Sequence, residues 1–147
     1  MQNIFVYGTL LSPVILKKLT GKSFKTSLAV LSGYKRHGIK NGDYPAIIQH
    51  ENSNTVGLLI EKLDDLSLSI ISFYEGEEYE KKKVTVNSNG KSEDVLTFVW
   101  VQGIEFLENK DWDLDNFEKT FLDHYLEVVI PETIKNYHSC LICSVPG

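Results

Sequence analysis

Three stretches rich in aliphatic and β-branched residues follow one another between positions 27 and 63, and short turn-forming segments separate them. The stretches are SLAVLSGYKRHGI, YPAIIQH and NTVGLLIEKL, and the segments between them are KNGD and ENSN. Asn, Gly, Asp and Ser in such short segments favour reversal of the chain. The pattern therefore predicts three successive strands of a meander, with a bulge at Gly33 in the first strand.

A short strand and a short helix are predicted before this meander. Residues 3–7, NIFVY, include a run of β-branched and aromatic residues that ends at a glycine, which indicates a buried strand. Ser12 and Pro13 suit an N-cap and a first helical position, and Gly21 suits the end of that helix.

A second helix is predicted from the stretch DDLSLSIISFYEG, in which apolar residues recur at helical spacing. Either Asp64 or Asp65 is its N-cap. Gly76 ends it, so Glu75 is expected on its last turn.

The last third of the chain predicts a pair of strands and a long helix. Residues 81–101 contain two strand-like runs joined by NSNGKSE, and residues 113–130 form the longest amphipathic pattern. Pro131 marks the end of that helix or a kink in it. The element order indicates an α+β protein built on a mixed β-barrel or sheet flanked by helices.

The composition is that of an ordinary soluble globular protein, with 42% hydrophobic and 24% charged residues. We expect one domain over residues 1–147. The net charge of -5 gives no reason to expect nucleic acid as a partner. No apolar run has the length of a membrane span and no signal-peptide pattern begins the chain, so we expect a cytoplasmic protein without a membrane partner.

The two cysteines, Cys140 and Cys143, both lie in the segment HSCLIC near the C-terminus. One C-x-x-C with His138 beside it is a poor zinc signature, and it lacks the βαβ context of a redox motif. We interpret the pair as reduced thiols and expect no metal site.

The segment SFYEGEEYEKKKVTV concentrates acidic residues before a lysine run. Glu77, Glu78 and Glu80 are expected on a solvated surface, paired with the neighbouring lysines. Glu75 differs because it follows the apolar IISFY, which carries it toward the edge of the core. Burial there raises the pKa of a glutamate toward the range useful for proton transfer, although an ordinary surface position stays open.

The segment VYGTLLS is a second candidate. A strand that runs through a glycine turn into a helix points backbone N–H groups at an anion, and an ordinary strand-to-helix turn remains the alternative. The segment matches neither of the glycine-rich nucleotide-binding patterns.

Together, FVYGTL (residues 5–10) and FYEGEEYEKKKVTV (residues 73–86) resemble the gamma-glutamylcyclotransferase-like superfamily, in particular its AIG2-like and gamma-glutamylamine cyclotransferase branch. DYPAIIQ, TVGLLIEKL and LTFVWV are similar to strands of that family and occur in the same order. DWDLDNFEKTFLDHYLEVVI is similar to the C-terminal helix of plant AIG2-like members. The motifs cover most of the chain.

This resemblance implies a small mixed barrel with a cavity, in which one glutamate, Glu75 by position, acts as general acid and base. It implies cyclisation of a gamma-glutamyl donor to 5-oxoproline with release of an amine or amino acid, and no cofactor. The YGTL loop would bind the substrate, and three tyrosines would form the walls of the cavity. The expected binding residues are Tyr7, Gly8, Thr9, Leu10, Tyr44 and Tyr79.

The sequence departs from the family at Lys81, where arginine is frequent; lysine keeps the charge and lacks the planar fork. The alternative function is a non-catalytic module of the same fold that binds a small carboxylate-bearing ligand. No exposed apolar stripe stands out, so we expect a monomer.

Overall fold

The computed structural model describes the backbone of residues 1–144 and the side chains of residues 1–141. Its strands and α-helices, in chain order, are β1 Gln2–Val6, α1 Pro13–Thr20, β2 Thr26–Gly38, β3 Pro45–Leu63, α2 Asp65–Glu75, β4 Tyr79–Ser88, β5 Lys91–Trp100, α3 Leu114–Thr120, α4 Leu122–His124 and α5 Ile130–Ser144. Two 3-10 turns, Thr9–Leu11 and Ile104–Phe106, and a π-helical segment, Tyr125–Val129, complete the list. The side chain of Cys143 lies outside the described residues.

The five strands close into a barrel in the order β1-β3-β2-β4-β5. β1 pairs with β5 in parallel at Ile4 and Leu96, and the other pairs are antiparallel. The predicted α+β class, a small mixed barrel flanked by helices, is confirmed. None of the described helices combines the length and the apolar character needed to cross a membrane.

The predicted turn at ENSN is wrong, because β3 continues through it as one strand. β2 and β3 pair on both sides of this segment, with Tyr34 opposite Gln49 and Ser32 opposite Asn54. The extra residues of β3 therefore bulge out of the ladder opposite Gly33, which confirms the predicted irregularity there.

The two predicted short helices form at the expected places. Asp64 is the N-cap of α2, since its carboxylate accepts a hydrogen bond from the Ser67 N–H at 3.3 Å. Gly76 is its C-cap, and Glu75 is its last residue. The choice between two caps is thereby settled in favour of Asp64.

The predicted C-terminal helix is wrong in its bounds. It breaks after Thr120, where Phe121 leaves helical geometry, and it does not end at Pro131, since α5 continues to Ser144. The π-helical segment comes directly before α5. Its wider turn relieves the clash that a proline ring makes with the preceding turn of an α-helix.

Strand β1 is buried on both faces and separates two parts of the core. Ile4 and Val6 belong to the cluster that joins the barrel to the helices, whereas Phe5 and Tyr7 belong to the cluster inside the barrel. Gly57 of β3 allows this close packing, because a Cβ atom there would lie 2.2 Å from the Val6 carbonyl oxygen. Tyr7 is thus carried to the point where β1 leaves the barrel.

The outward face of the β2–β3 pair carries an apolar patch of Leu28, Val30, Val56 and Leu58, which lie opposite one another in register. Leu28 is 71% exposed and Val56 is 55% exposed. The expectation that no apolar stripe is exposed is wrong on this face. The prediction of a monomer therefore loses its sequence-based support.

Candidate active site

A cavity of about 280 Å³ opens beside the end of β1. It is bounded by the turn after β1, the start of β3, the end of α2, and the π-helical segment with α5. The structure brings all seven predicted site residues to its wall: Tyr7, Gly8, Thr9, Leu10, Tyr44, Glu75 and Tyr79.

The turn after β1 is shaped by a close approach to β3. A Cβ atom on Gly8 would lie 2.9 Å from the Pro45 ring, so a side chain at this position would push the turn away. The Gly8 carbonyl accepts a hydrogen bond from the Leu11 N–H at 2.9 Å, which closes the 3-10 turn. The sequence YGTL thus places Thr9 and Leu10 against the cavity.

Arg36 supports this turn from β2, outside the cavity. Its Nη1 donates a hydrogen bond to the Tyr7 carbonyl at 2.9 Å. Its Nε and Nη2 donate to the two carboxylate oxygens of Asp111, at 2.7 and 3.2 Å. Such a bidentate pair fixes the guanidinium plane, so the carbonyl at the end of β1 has a rigid partner. No local pattern in the sequence indicated this role for Arg36.

Glu75 is the central ionisable group. It is partly buried as a whole residue, and burial of its carboxyl raises its pKa from 4.5 to about 7. Burial is the one cause of the shift, and among the described residues no hydrogen bond or cation offsets it. The group therefore changes its charge near neutral pH.

Five tyrosines surround this carboxyl and line the cavity: Tyr7, Tyr44, Tyr74, Tyr79 and Tyr125. Burial is the main cause that raises the pKa of each phenol, and the charge of Glu75 contributes at all five. The pKa of Tyr44 rises to about 12. The walls are therefore neutral hydrogen-bonding groups at physiological pH.

Several of these hydroxyls already have protein partners. Tyr7 donates to the Phe98 carbonyl, and Tyr79 donates to the Pro45 carbonyl at 2.7 Å. Tyr79 also packs edge-on against Trp100, with ring centroids 5.4 Å apart. These contacts fix the two rings in place as walls of the cavity. Their hydroxyl protons are already donated to backbone carbonyls, so we do not assign them a role in proton transfer.

Sequence reasoning missed Tyr74 and Tyr125. Tyr74 directly precedes Glu75 in α2, but neighbouring residues of a helix point in different directions, so its place beside the cavity did not follow from that of Glu75. Tyr125 reaches the cavity from the π-helical segment. Its ring packs edge-on against that of Phe117, with the ring centroids 4.8 Å apart. Only the docking of this late helix against the barrel brings it to the site.

The acidic segment after α2 is only partly a solvated surface. Glu77, Glu78 and Glu80 are exposed, but Glu78 also lines the cavity and accepts a hydrogen bond from the Tyr44 hydroxyl at 3.1 Å. Within the described chain, none of the three forms a salt bridge with the neighbouring lysines. The expected ion pairs are therefore wrong, and Lys81 is exposed and does not line the cavity.

Sequence comparison places this chain among known proteins. The family model described as gamma-glutamyl cyclotransferase, AIG2-like, matches residues 4–114. Protein AIG2 C of Arabidopsis thaliana is 30% identical over 127 residues, which cover 85% of this chain and 77% of that protein.

Solved structures share the fold. The solution structure of an Arabidopsis thaliana protein matches with a TM-score of 0.67 at 27% identity, and the match covers 92% of this chain and 83% of that one. A gamma-glutamyl cyclotransferase matches with a TM-score of 0.60 at 18% identity, over 73% of this chain and 68% of that one. The fold is thus that of the gamma-glutamyl cyclotransferase-like barrels. The chain belongs to the AIG2-like gamma-glutamyl cyclotransferase family, as its motifs predicted.

Proposed function

We propose that the protein is an enzyme that cyclises a gamma-glutamyl donor to 5-oxoproline and releases an amine or amino acid. The observation that supports this most directly is Glu75, a carboxyl with a pKa near 7 that faces a cavity walled by neutral tyrosines. A group of this pKa both accepts and donates a proton near neutral pH, which is what a general acid and base needs.

In the proposed reaction the donor's α-ammonium first loses a proton to the Glu75 carboxylate. The freed α-amine forms a bond to the side-chain amide carbon, and the bond from that carbon to the leaving nitrogen then breaks. Glu75 returns this proton to the leaving nitrogen. The second proton that the attacking nitrogen loses on becoming the lactam N–H passes through the same carboxylate to the released amine, which leaves as an ammonium ion, so neither water nor a cofactor is consumed. A single carboxyl handles both proton transfers because they occur in sequence.

The turn after β1 is proposed to bind the glutamyl end of the donor. Thr9 and Leu10 begin a 3-10 turn, and the first N–H groups of a helical turn have no acceptor within that turn. Such N–H groups suit either the α-carboxylate or the charge that develops on the amide oxygen as the ring closes.

The walls of the cavity are proposed to hold the donor in a folded shape. Because both reacting groups belong to one molecule, catalysis depends on keeping the α-amine close to the amide carbon. Buried hydrogen bonds fix Tyr7 and Tyr79, and an exposed one links Tyr44 to Glu78, so all three offer neutral surfaces for this purpose.

The test is to incubate the protein with gamma-glutamyl-ε-lysine, gamma-glutamyl amino acids and glutathione, and to measure 5-oxoproline by mass spectrometry. Glu75→Gln keeps the shape and removes the proton carrier, so we expect the rate to fall about a hundredfold or more. Glu77→Gln is the matched control, because it removes the same charge from an exposed residue that does not line the cavity. Equal rates for Glu75→Gln and the wild type would exclude the proposed role of Glu75.

The alternative is a non-catalytic module that binds a small carboxylate-bearing ligand in the same cavity. It predicts saturable binding of gamma-glutamyl compounds in calorimetry without formation of 5-oxoproline from any donor. Binding with turnover would exclude it.

We further propose that residues 1–147 act as one domain in the cytoplasm, and we keep the monomer only as the state to be tested, because the apolar patch of Leu28 and Val56 is exposed. The Cys140 thiol is free and exposed, which suits a reducing compartment. Sedimentation equilibrium, which measures the mass of the particle in solution, tests whether the protein is a monomer. If the protein proves to be a dimer, polar substitutions in the exposed patch around Leu28 and Val56 would test whether this patch forms the interface.

A further inference from the structure

The wall of the cavity offers no cationic side chain to a carboxylate. Among its described lining residues are Glu75 and Glu78 but no lysine, arginine or histidine. A gamma-glutamyl donor brings an α-carboxylate into this space, and a charge that leaves water without a compensating partner is strongly disfavoured. The compensating positive charge must therefore come from backbone N–H groups or from a cation behind the wall.

The turn after β1 presents backbone N–H groups that the protein itself does not use. The N–H groups of Leu11 and Ser12 donate to the carbonyls of Gly8 and Thr9 and close the 3-10 turn. Within the described part of the chain, the Gly8 N–H has no acceptor, and Gly8 lines the cavity. Such an N–H binds an anion best when its peptide group is held in a fixed orientation.

Arg36 holds the peptide group that carries this N–H. The Tyr7 carbonyl, which accepts the hydrogen bond from Nη1 of Arg36 at 2.9 Å, belongs to the same peptide group as the Gly8 N–H. The C=O and N–H of a trans peptide point in opposite directions, so the Gly8 N–H points away from Arg36. Arg36 lines a groove on the outer face of the sheet and not the cavity, so the cavity lies on the opposite side of this peptide.

The guanidinium acts on this peptide as a positive charge although Asp111 pairs with it. The Arg36 side chain is 18% exposed and that of Asp111 is 61% exposed, so water screens the carboxylate more than the guanidinium. The Trp112 ring, whose centroid lies 5.8 Å from the guanidinium carbon, adds a second contact that fixes its position. The charge also reaches the cavity wall: burial raises the pKa of the Tyr7 phenol, and Arg36 opposes this rise.

We propose that Arg36 is a positioning residue that polarises the Tyr7–Gly8 peptide from behind, so that the Gly8 N–H binds the α-carboxylate of the donor. This inference rests on the proposed binding of the glutamyl end at the turn after β1. The guanidinium draws electron density toward the carbonyl oxygen, which makes the N–H of the same peptide a stronger donor. The fixed guanidinium also keeps that N–H aimed at the cavity.

The size and the kind of the effect follow from this role. Loss of a whole anion-binding donor costs about a hundredfold or more, so weakening one donor should cost about tenfold. The α-carboxylate is bound equally in the ground state and in the transition state. The loss should therefore appear as a raised KM with little change in kcat.

The experiment measures binding by NMR titration with two ring compounds. 5-Oxoproline keeps the α-carboxylate, and 2-pyrrolidinone is the same ring without it. The wild type is compared with Arg36→Met, which keeps only the apolar stem, with Arg36→Gln, which keeps a neutral donor, and with Arg36→Lys, which keeps the charge without the planar fork. Lys35→Met is the matched control, because it removes a cation from the exposed neighbouring position of β2.

We expect Arg36→Met and Arg36→Gln to bind 5-oxoproline about tenfold more weakly than the wild type and to bind 2-pyrrolidinone equally well. Arg36→Lys should recover part of the affinity, and Lys35→Met should behave as the wild type. The amide proton resonance of Gly8 should move downfield when 5-oxoproline binds to the wild type, and much less in Arg36→Met. The same variants should raise KM for a gamma-glutamyl donor about tenfold.

An equal loss of affinity for both ring compounds would show that Arg36 only maintains the shape of the turn, and it would overturn the proposal. An unmoved Gly8 resonance, or a wild type that does not bind 5-oxoproline, would overturn it as well. If Arg36→Met does not fold, the comparison of Arg36→Gln with Arg36→Lys decides. If binding follows the expected pattern and no donor is turned over, the proposed cyclisation fails while this role of Arg36 stands.

Discussion

The hydroxyl oxygens of Thr9 and Tyr74 lie 2.6 Å apart, although 65 positions separate the two residues in the chain. Thr9 belongs to the turn after β1, and Tyr74 is the residue before Glu75 in α2. Their hydrogen bond ties the proposed substrate-binding turn to the helix end that carries the proposed proton carrier. Proximity catalysis requires such a fixed separation.

Removing this hydrogen bond is expected to weaken both the fold and the activity. Thr9→Val and Tyr74→Phe each remove one hydroxyl and keep the shape, leaving the other hydroxyl unpaired. We expect each to lower the free energy of unfolding by about 1–2 kcal/mol, and kcat/KM by about tenfold, since the turn shifts relative to Glu75.

A double-mutant cycle isolates the contact between Thr9 and Tyr74. Urea denaturation of the two single variants and the double variant should give a coupling of about 1 kcal/mol. Additive effects of the two substitutions would show that the hydroxyls do not stabilise one another.

The raised pKa of Glu75 predicts that stability falls as the pH rises. This carboxyl titrates near 4.5 in the unfolded chain and near 7 in the fold, so the folded state binds more protons between these values. The preference of the folded state for the protonated carboxyl contributes fully to the free energy of unfolding below about pH 4.5. That contribution is lost as the pH rises through 7. The loss amounts to roughly 1–3 kcal/mol, with allowance for contact with solvent in the cavity.

Glu75→Gln removes this titration and should flatten the pH dependence of stability. Urea denaturation at pH 5 and pH 8 measures it, with Glu77→Gln as the control that keeps the wild-type slope. If the difference between the wild type and Glu75→Gln is the same at both pH values, burial does not raise the pKa of Glu75.

The same titration should appear in the activity. Because the first step needs ionised Glu75, kcat/KM should rise tenfold per pH unit well below pH 7 and level off above it. The measurement is initial 5-oxoproline formation between pH 5 and pH 9, with circular dichroism at each pH to verify folding. A flat profile between pH 5 and 8 would contradict Glu75 as the general base.

Elements with local signals were predictable from the sequence. The cap at Asp64 and the stop at Gly76 define α2, and they place Glu75 on its last turn. The prediction of a turn at ENSN was wrong because a composition typical of turns does not reveal that β2 and β3 pair on both sides of the segment. Strand pairing is a long-range property, so the order of the strands in the barrel could not be predicted from the sequence.

The site was predictable where motif residues form it. The YGTL turn and Glu75 came from two motifs, whereas Tyr125 lies beyond the residues 4–114 matched by the family model. Its place follows from the packing of a helix that lies late in the chain. The side of the cavity formed by that helix therefore could not be predicted from the sequence.

Two close-packed glycines should respond differently to alanine. At Gly57 a Cβ atom would lie 2.2 Å from the backbone oxygen of Val6, which the closed barrel holds in place. At Gly8 it would lie 2.9 Å from a ring atom of Pro45, and the shift that it forces falls on a short turn rather than on paired strands of the barrel. Gly57→Ala should therefore lower the free energy of unfolding by about 3 kcal/mol or more, and Gly8→Ala by about 1 kcal/mol.

Since Gly8 is in the proposed binding turn, its variant should instead lose about tenfold or more in kcat/KM. Thermal unfolding and the 5-oxoproline assay separate the two effects, and a fully active Gly8→Ala would show that the position of this turn does not limit the reaction.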